Sequence, residues 1–130
     1  MTDMPPGWLT VLLRLPLFYN PDVTGARAPV EDAKFLATAD ELAHQFGGGT
    51  LFLSRDDAPR GFWWDRGVVD RDVLGLLEVD VPDTEEARAW LRTYAHDVLC
   101  QRFRQRAIYL KFVGPVEQLI ISEEEIRNED

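Results

Sequence analysis

Residues Val73 to Val81 read Val-Leu-Gly-Leu-Leu-Glu-Val-Asp-Val and run straight into Pro82-Asp83-Thr84-Glu85-Glu86. This junction constrains the chain more than any other feature. Successive side chains of a strand point to opposite faces, so Leu74, Leu76, Glu78 and Asp80 share one face, and Val73, Gly75, Leu77, Val79 and Val81 the other. The second set carries no charge and is the predicted core face. Pro82 stops the strand. Asp83, followed three residues later by Glu86, forms a capping-box pattern that starts a helix and places acids at its positive end.

The rest of the chain supplies what that junction packs against. Trp8 to Tyr19 is almost wholly apolar and rich in β-formers, as suits a strand covered on both faces or central in a sheet. Pro16 has no amide proton and marks a bulge or the strand's exit. Asn20-Pro21-Asp22 opens a loop of about ten residues that also holds Gly25, Arg27 and Pro29, a length at which loops often carry function. Helix one follows, with Phe35, Ala39, Leu42, Ala43 and Phe46 on one stripe and Lys34, Asp40, Glu41 and His44 off it. Gly47-Gly48-Gly49 ends it. Thr50 to Ser54 is a short strand, and Asp57 to Gly61 a turn or hairpin tip. Helix two extends to about Arg104, presenting Leu91, Tyr94, Ala95, Val98 and Leu99, with Trp90 and Phe103 beside them. Ala107 to Val113 is the last main strand, and Val116 to Ile121 is expected to add an edge strand after Gly114-Pro115.

The order β-α-β-β-α-β predicts an α+β domain of ferredoxin-like type, with two helices on one face of an antiparallel sheet. The domain is expected over residues 8–121, between a flexible N-terminus, 1–7, and a disordered acidic tail, 122–130. One sheet face is left bare. A bare face with large apolar residues predicts a homodimer or a protein partner.

Charge narrows the partners. The 130-residue chain carries a net charge of −9, which argues against general nucleic-acid binding, since that affinity comes from Lys and Arg on phosphates. From Asp56 to Glu86 there are ten acids and three bases, and from Arg88 to Lys111 six bases and one acid. Pairing inside one molecule is the expected use of that asymmetry. No apolar run approaches the ~20 residues of a membrane span, because Arg14 and Pro16 break the longest. The first residues lack the basic and apolar regions of a signal peptide, and Cys100 is the sole cysteine. A cytoplasmic location is therefore expected.

Phe46-Gly47-Gly48-Gly49-Thr50, the Gly61-x-Trp63 turn, the strand beginning near Asp72, and Arg102-Phe103-Arg104-Gln105-Arg106 form a series at characteristic spacing. The series resembles that of a family of small bacterial ferredoxin-like proteins of unknown function, which share Gly-x-Thr, Gly-x-Trp and Phe-x-Gln motifs. The resemblance covers roughly Leu13 to Val113. It implies the fold and leaves the activity open.

Few residues suggest chemistry. Trp63 and Trp64 are neighbours, so in extended chain they point to opposite sides, and one is expected to contact a ligand or partner. Tyr19, Asn20 and Arg27 border the long first loop, where an arginine can clamp a carboxylate or phosphate. Asp65 completes this candidate binding set. Asp65, Asp70, Asp72, Glu78 and Asp80 match no known metal-loop spacing, and a solvated edge is the expected reading. Gly47-Gly48-Gly49 follows a helix, whereas phosphate loops precede one, so it reads as a C-cap. His44, His96 and Cys100 have no companions at ligand or catalytic spacing. No metal and no cofactor is predicted. The leading expectation is a non-enzymatic binding or regulatory module that self-associates, with a contact surface near Trp63 and Trp64. A small enzyme with a carboxylate-lined cleft, of the metal-assisted hydrolase type, and an accessory subunit of a larger complex are the alternatives.

Overall fold

The structure is a computed structural model that describes residues 6–53, 60–65 and 68–123, and within residues 60–73 it describes backbone pairing only. Residues 1–5, the turn expected at Asp57 and the tail from 124 onward lie outside the described residues. So do the side chains of Trp63, Trp64, Asp65, Asp70 and Asp72.

Among the described residues five strands and two principal helices follow one another. They are β1 (Trp8–Pro16), α1 (Asp32–Phe46), β2 (Thr50–Phe52), β3 (Arg60–Asp65), β4 (Val68–Pro82), α2 (Glu85–Tyr94) and β5 (Tyr109–Val116). Beyond Tyr94 the helical path of α2 continues through a π-helical stretch, Ala95–Leu99, and a last turn, Cys100–Arg102. The antiparallel sheet has the order β2-β4-β1-β5, and off this path β3 pairs with β4. No helix among the described residues is long and apolar enough to cross a membrane.

The alternation read in Val73 to Val81 places the core. Leu77, Val79 and Val81 are buried, Glu78 is exposed, and Asp80 is half-buried. β1 lies between β4 and β5, with Leu9, Val11, Leu13 and Leu15 buried and the residues between them half-buried. Both helices cover the buried face. From α1 come Phe35, Thr38 and Leu42; from the second helical path come Leu91, Tyr94, Ala95, Leu99 and Phe103. Ala43, expected on the α1 stripe, is exposed, and Thr38 takes a buried place because positions 35, 38 and 42 fall on one helical face.

Several elements differ from the sequence reading. β4 is longer than its apolar core because Val68–Asp72 find a partner in β3, giving a hairpin that continues past the β1 pairing. That pairing was not legible, since neither segment alternates. The cap of α2 is Thr84 rather than Asp83: its hydroxyl accepts from the Ala87 amide at 3.1 Å, while Asp83 pairs with Arg88. The expected edge strand over Val116–Ile121 is not formed, and residues 117–122 carry no regular structure. β5 instead runs through Gly114-Pro115. Between Thr10↔Val113 and Trp8↔Val116 it fits one residue more than β1, and that bulge absorbs the proline. At Gly114 a Cβ would lie 2.4 Å from Leu9 Cδ2 and 3.2 Å from the Trp8 carbonyl oxygen, so a side chain there would displace the buried Leu9 side chain.

The charge asymmetry is used internally in part. Arg88 pairs with Asp83 and Arg92 with Glu85, joining the acidic start of α2 to its own next turns.

Candidate functional site

Two surfaces follow from this arrangement, and both lie on the side of the sheet away from the helices. Residues directly opposite one another in adjacent strands project to the same side. Leu12 pairs with Glu78 on β4 and with Lys111 on β5. These three side chains therefore form one row across the helix-free face, an acid at one end and a base at the other. Among the described residues neither Glu78 nor Lys111 forms an ion pair, because the row holds them apart by two strand spacings, about 10 Å. One row along, Thr10 donates to Asp80 at 2.7 Å, next to exposed Val113. One row the other way, Arg14 lies between Leu76 and Tyr109. The face is thus a mosaic of charge and half-covered apolar groups, where the sequence reading expected a largely apolar one.

The chain after β5 turns onto one end of this face. Gln118 shares a cavity with Trp8, Thr50, Glu78 and Asp80. Leu119, Ile120 and Ile121 follow it with two-thirds or more of their surface exposed. Phe52 on β2 adds a further exposed apolar group beside Leu76.

The opposite end of the face holds a cavity of about 260 Å³. Its walls are Arg14 and Pro16 of β1, Phe18, Asn20 and Arg27 beyond it, Leu74 of β4, and Gln105, Ala107, Ile108 and Tyr109 at the start of β5. The loop after β1 is built to stand there. Bonds from Tyr19 N to Ala28 O and from Val30 N to Leu17 O, both 2.8 Å, extend the ladder of β1 onto the returning chain. Asp22 closes the tip by accepting from the Thr24 amide, the Thr24 hydroxyl and the Ala26 amide. Those hydrogen bonds, the Thr24 hydroxyl's first, hold the Asp22 carboxyl below the usual carboxylate range. Arg14 stacks its guanidinium 4.0 Å above the Tyr109 ring.

Of the residues singled out in the sequence, Asn20 and Arg27 are brought together in this cavity. Tyr19 is not in it. Adjacent residues of an extended chain face opposite ways, so Tyr19 turns inward, 7% exposed, while Asn20 turns outward. Its hydroxyl donates to Glu31, which lowers the Glu31 carboxyl's pKa, and accepts from Lys34. Lys34 also donates to the Arg102 carbonyl at 2.9 Å, tying α1 to the end of the second helical path. For Trp63, Trp64 and Asp65 the structure describes strand pairing alone, opposite Asp70, Val69 and Val68.

Sequence reading missed Arg14, Gln105 and Tyr109 as site residues. Arg14 looked like an interruption in an apolar strand, and its meeting with Tyr109 depends on the β1–β5 register. Among the described residues no three metal-capable side chains converge. His44 bonds the Asp40 carbonyl of its own helix and His96 pairs with its neighbour Asp97.

No protein-family model matches the chain, and no curated protein is significantly similar to it. The fold and the two surfaces define its class: an α+β domain with an open, charge-patterned sheet face.

Proposed function

We propose that the chain is a non-enzymatic binding or regulatory module of ferredoxin-like fold that works as a cytoplasmic homodimer, two copies meeting through their helix-free faces. The strand order β2-β4-β1-β5, with a helix after β1 and another after β4, supports the fold assignment. The row Glu78–Leu12–Lys111 carries the dimer reading.

Consider a two-fold axis between the facing sheets, parallel to β1 and passing over Leu12. It exchanges β4 with β5 and leaves each row at its own level. Leu12 then meets the partner copy's equivalent leucine. Glu78 stands over the lysine of the other copy, and Lys111 over its glutamate. Two charges too far apart to pair within one molecule are paired twice in the dimer, which is the self-complementarity an isologous contact requires. Aligned packing of facing sheets about 10 Å apart accommodates such side chains. Four strands of this length present roughly 500 Å² of projected face each, near the lower bound for a specific interface, so a dimer of moderate affinity is expected. The β3–β4 hairpin bearing Trp63 and Trp64 is the proposed second contact region, for a protein or small-ligand partner.

Sedimentation velocity across a wide concentration range tests this reading. A reversible monomer–dimer equilibrium that weakens as salt rises is the expected result. A monomer at every concentration overturns it.

A further inference from the structure

We infer that the cavity at the Arg14 end of the helix-free face binds a small organic carboxylate with a flat apolar body. The inference is argued from the cavity walls of one chain and does not depend on the dimer contact.

The chemistry of the walls comes first. The chain carries a net charge of −9, yet no acidic side chain is among the described residues lining this cavity, and two arginines are. Arg14 is anchored in β1 and Arg27 in the clasped loop that follows, so the two arginines line the cavity from separate elements. Asn20 and Gln105 add amide groups. Among the described residues no carboxylate pairs with Arg14; its guanidinium carbon lies 4.0 Å from the centre of the Tyr109 ring. A guanidinium held against a ring still has N–H groups to offer a bidentate acceptor.

Shape and polarity then select the class of anion. The remaining walls are apolar, with Phe18 and Tyr109 supplying rings. A fully hydrated ion gains nothing from such walls, whereas an aromatic or unsaturated acid buries its body there. A volume of about 260 Å³ equals roughly nine waters of liquid, which suits a metabolite-sized ligand. Among the described residues the phosphate-binding devices of backbone are missing from the walls: no helix begins at the cavity and no glycine lines it.

Titration of the full chain with benzoate, followed by ¹H–¹⁵N NMR, tests the assignment. Saturable shifts at residues 17–20 and 105–109 are expected, with benzamide, the neutral isostere, binding at least tenfold more weakly and inorganic phosphate failing to displace benzoate. Arg14→Met is expected to weaken benzoate at least tenfold, and Arg14→Lys by less, because charge remains while the planar fork is lost. Should Arg14→Met fail to fold, Arg27→Met, in the surface loop, is expected to weaken benzoate in the same direction. The Glu78→Lys variant keeps the site, since neither Glu78 nor Lys111 lines the cavity, so this test and the dimer test fail separately. Absence of saturable shifts, equal binding of benzamide, displacement by phosphate, or unchanged affinity in a folded arginine variant would each overturn the proposal.

Discussion

Arg102 reaches back from the end of the second helical path and donates to the hydroxyl of Thr38 on α1 at 2.8 Å. The same guanidinium pairs with Glu41 and lies 3.4 Å from the Tyr94 hydroxyl, while the Thr38 hydroxyl donates to the Lys34 carbonyl at 2.8 Å. Thr38 is fully buried, and the Arg102 side chain keeps a fifth of its surface. The two helices are thus joined by a polar cluster as well as by apolar packing such as Phe35 against Phe103, whose ring centres are 5.2 Å apart. Removing one partner leaves the others under-satisfied in a poorly hydrated place. Thr38→Val is expected to cost about 1–2 kcal/mol, and Arg102→Leu about 1–3 kcal/mol after allowance for its partial exposure. Urea unfolding should show a lower midpoint with an unchanged slope.

Gly49 stands where the chain enters β2. A Cβ there would lie 2.5 Å from the Glu78 carbonyl oxygen, and since that atom is backbone the sheet itself would have to move. Gly49→Ala is expected to destabilise by about 1–3 kcal/mol. Gly7→Ala is the control. Nothing lies within 4 Å of its Cβ position, so its effect on thermal unfolding should stay within about 0.5 kcal/mol.

Burial, then the nearby Glu41 carboxylate, pushes the Tyr94 phenol above its ordinary value of 10.0. Above that pH the unfolded chain has released the proton while the folded protein still holds it. Stability attributable to Tyr94 is therefore intact below about pH 10 and declines as pH rises further toward the folded-state value. Denaturant midpoints measured from pH 8 to 11 should fall at the alkaline end, and the fall should be shallower in Tyr94→Phe.

The proposed dimer predicts a charge-reversal pattern that few other contacts would produce. Glu78→Lys sets lysine over lysine twice, and Lys111→Glu sets glutamate over glutamate twice. Each single variant should weaken self-association about tenfold or more, and the double variant should recover it. Sedimentation velocity on all four proteins distinguishes this from a general effect of net charge, because the double variant keeps the original net charge. A double variant as weak as either single one would contradict the proposed pairing.

Much of the local structure was legible in the sequence for reasons the structure makes plain. Leu77, Val79 and Val81 alternate with Glu78 and Asp80, and a strand with one covered face allows only one orientation of that pattern. The helices declared themselves through their apolar stripes and through Gly47, which takes a left-handed φ of 99° and ends α1. The cap of α2 was not legible. Asp83 and Thr84 are both good capping residues, and backbone geometry chose Thr84. β3 gave no alternation to read, since its partner, the first part of β4, does not alternate either.

By itself, the sequence determined that Trp8 to Pro16 becomes a strand, that two striped segments become helices, and that Leu77, Val79 and Val81 turn inward while Glu78 turns outward, because those properties depend on neighbours a few residues away. Only the tertiary structure decided that Glu78 and Lys111 flank Leu12, or that Arg14 lies on Tyr109 with Asn20 and Arg27 beside it. Those relations depend on the register between strands far apart in the chain. The register is set by how the whole apolar face closes over the core and by the bulge at Gly114-Pro115, and local sequence carries no record of either.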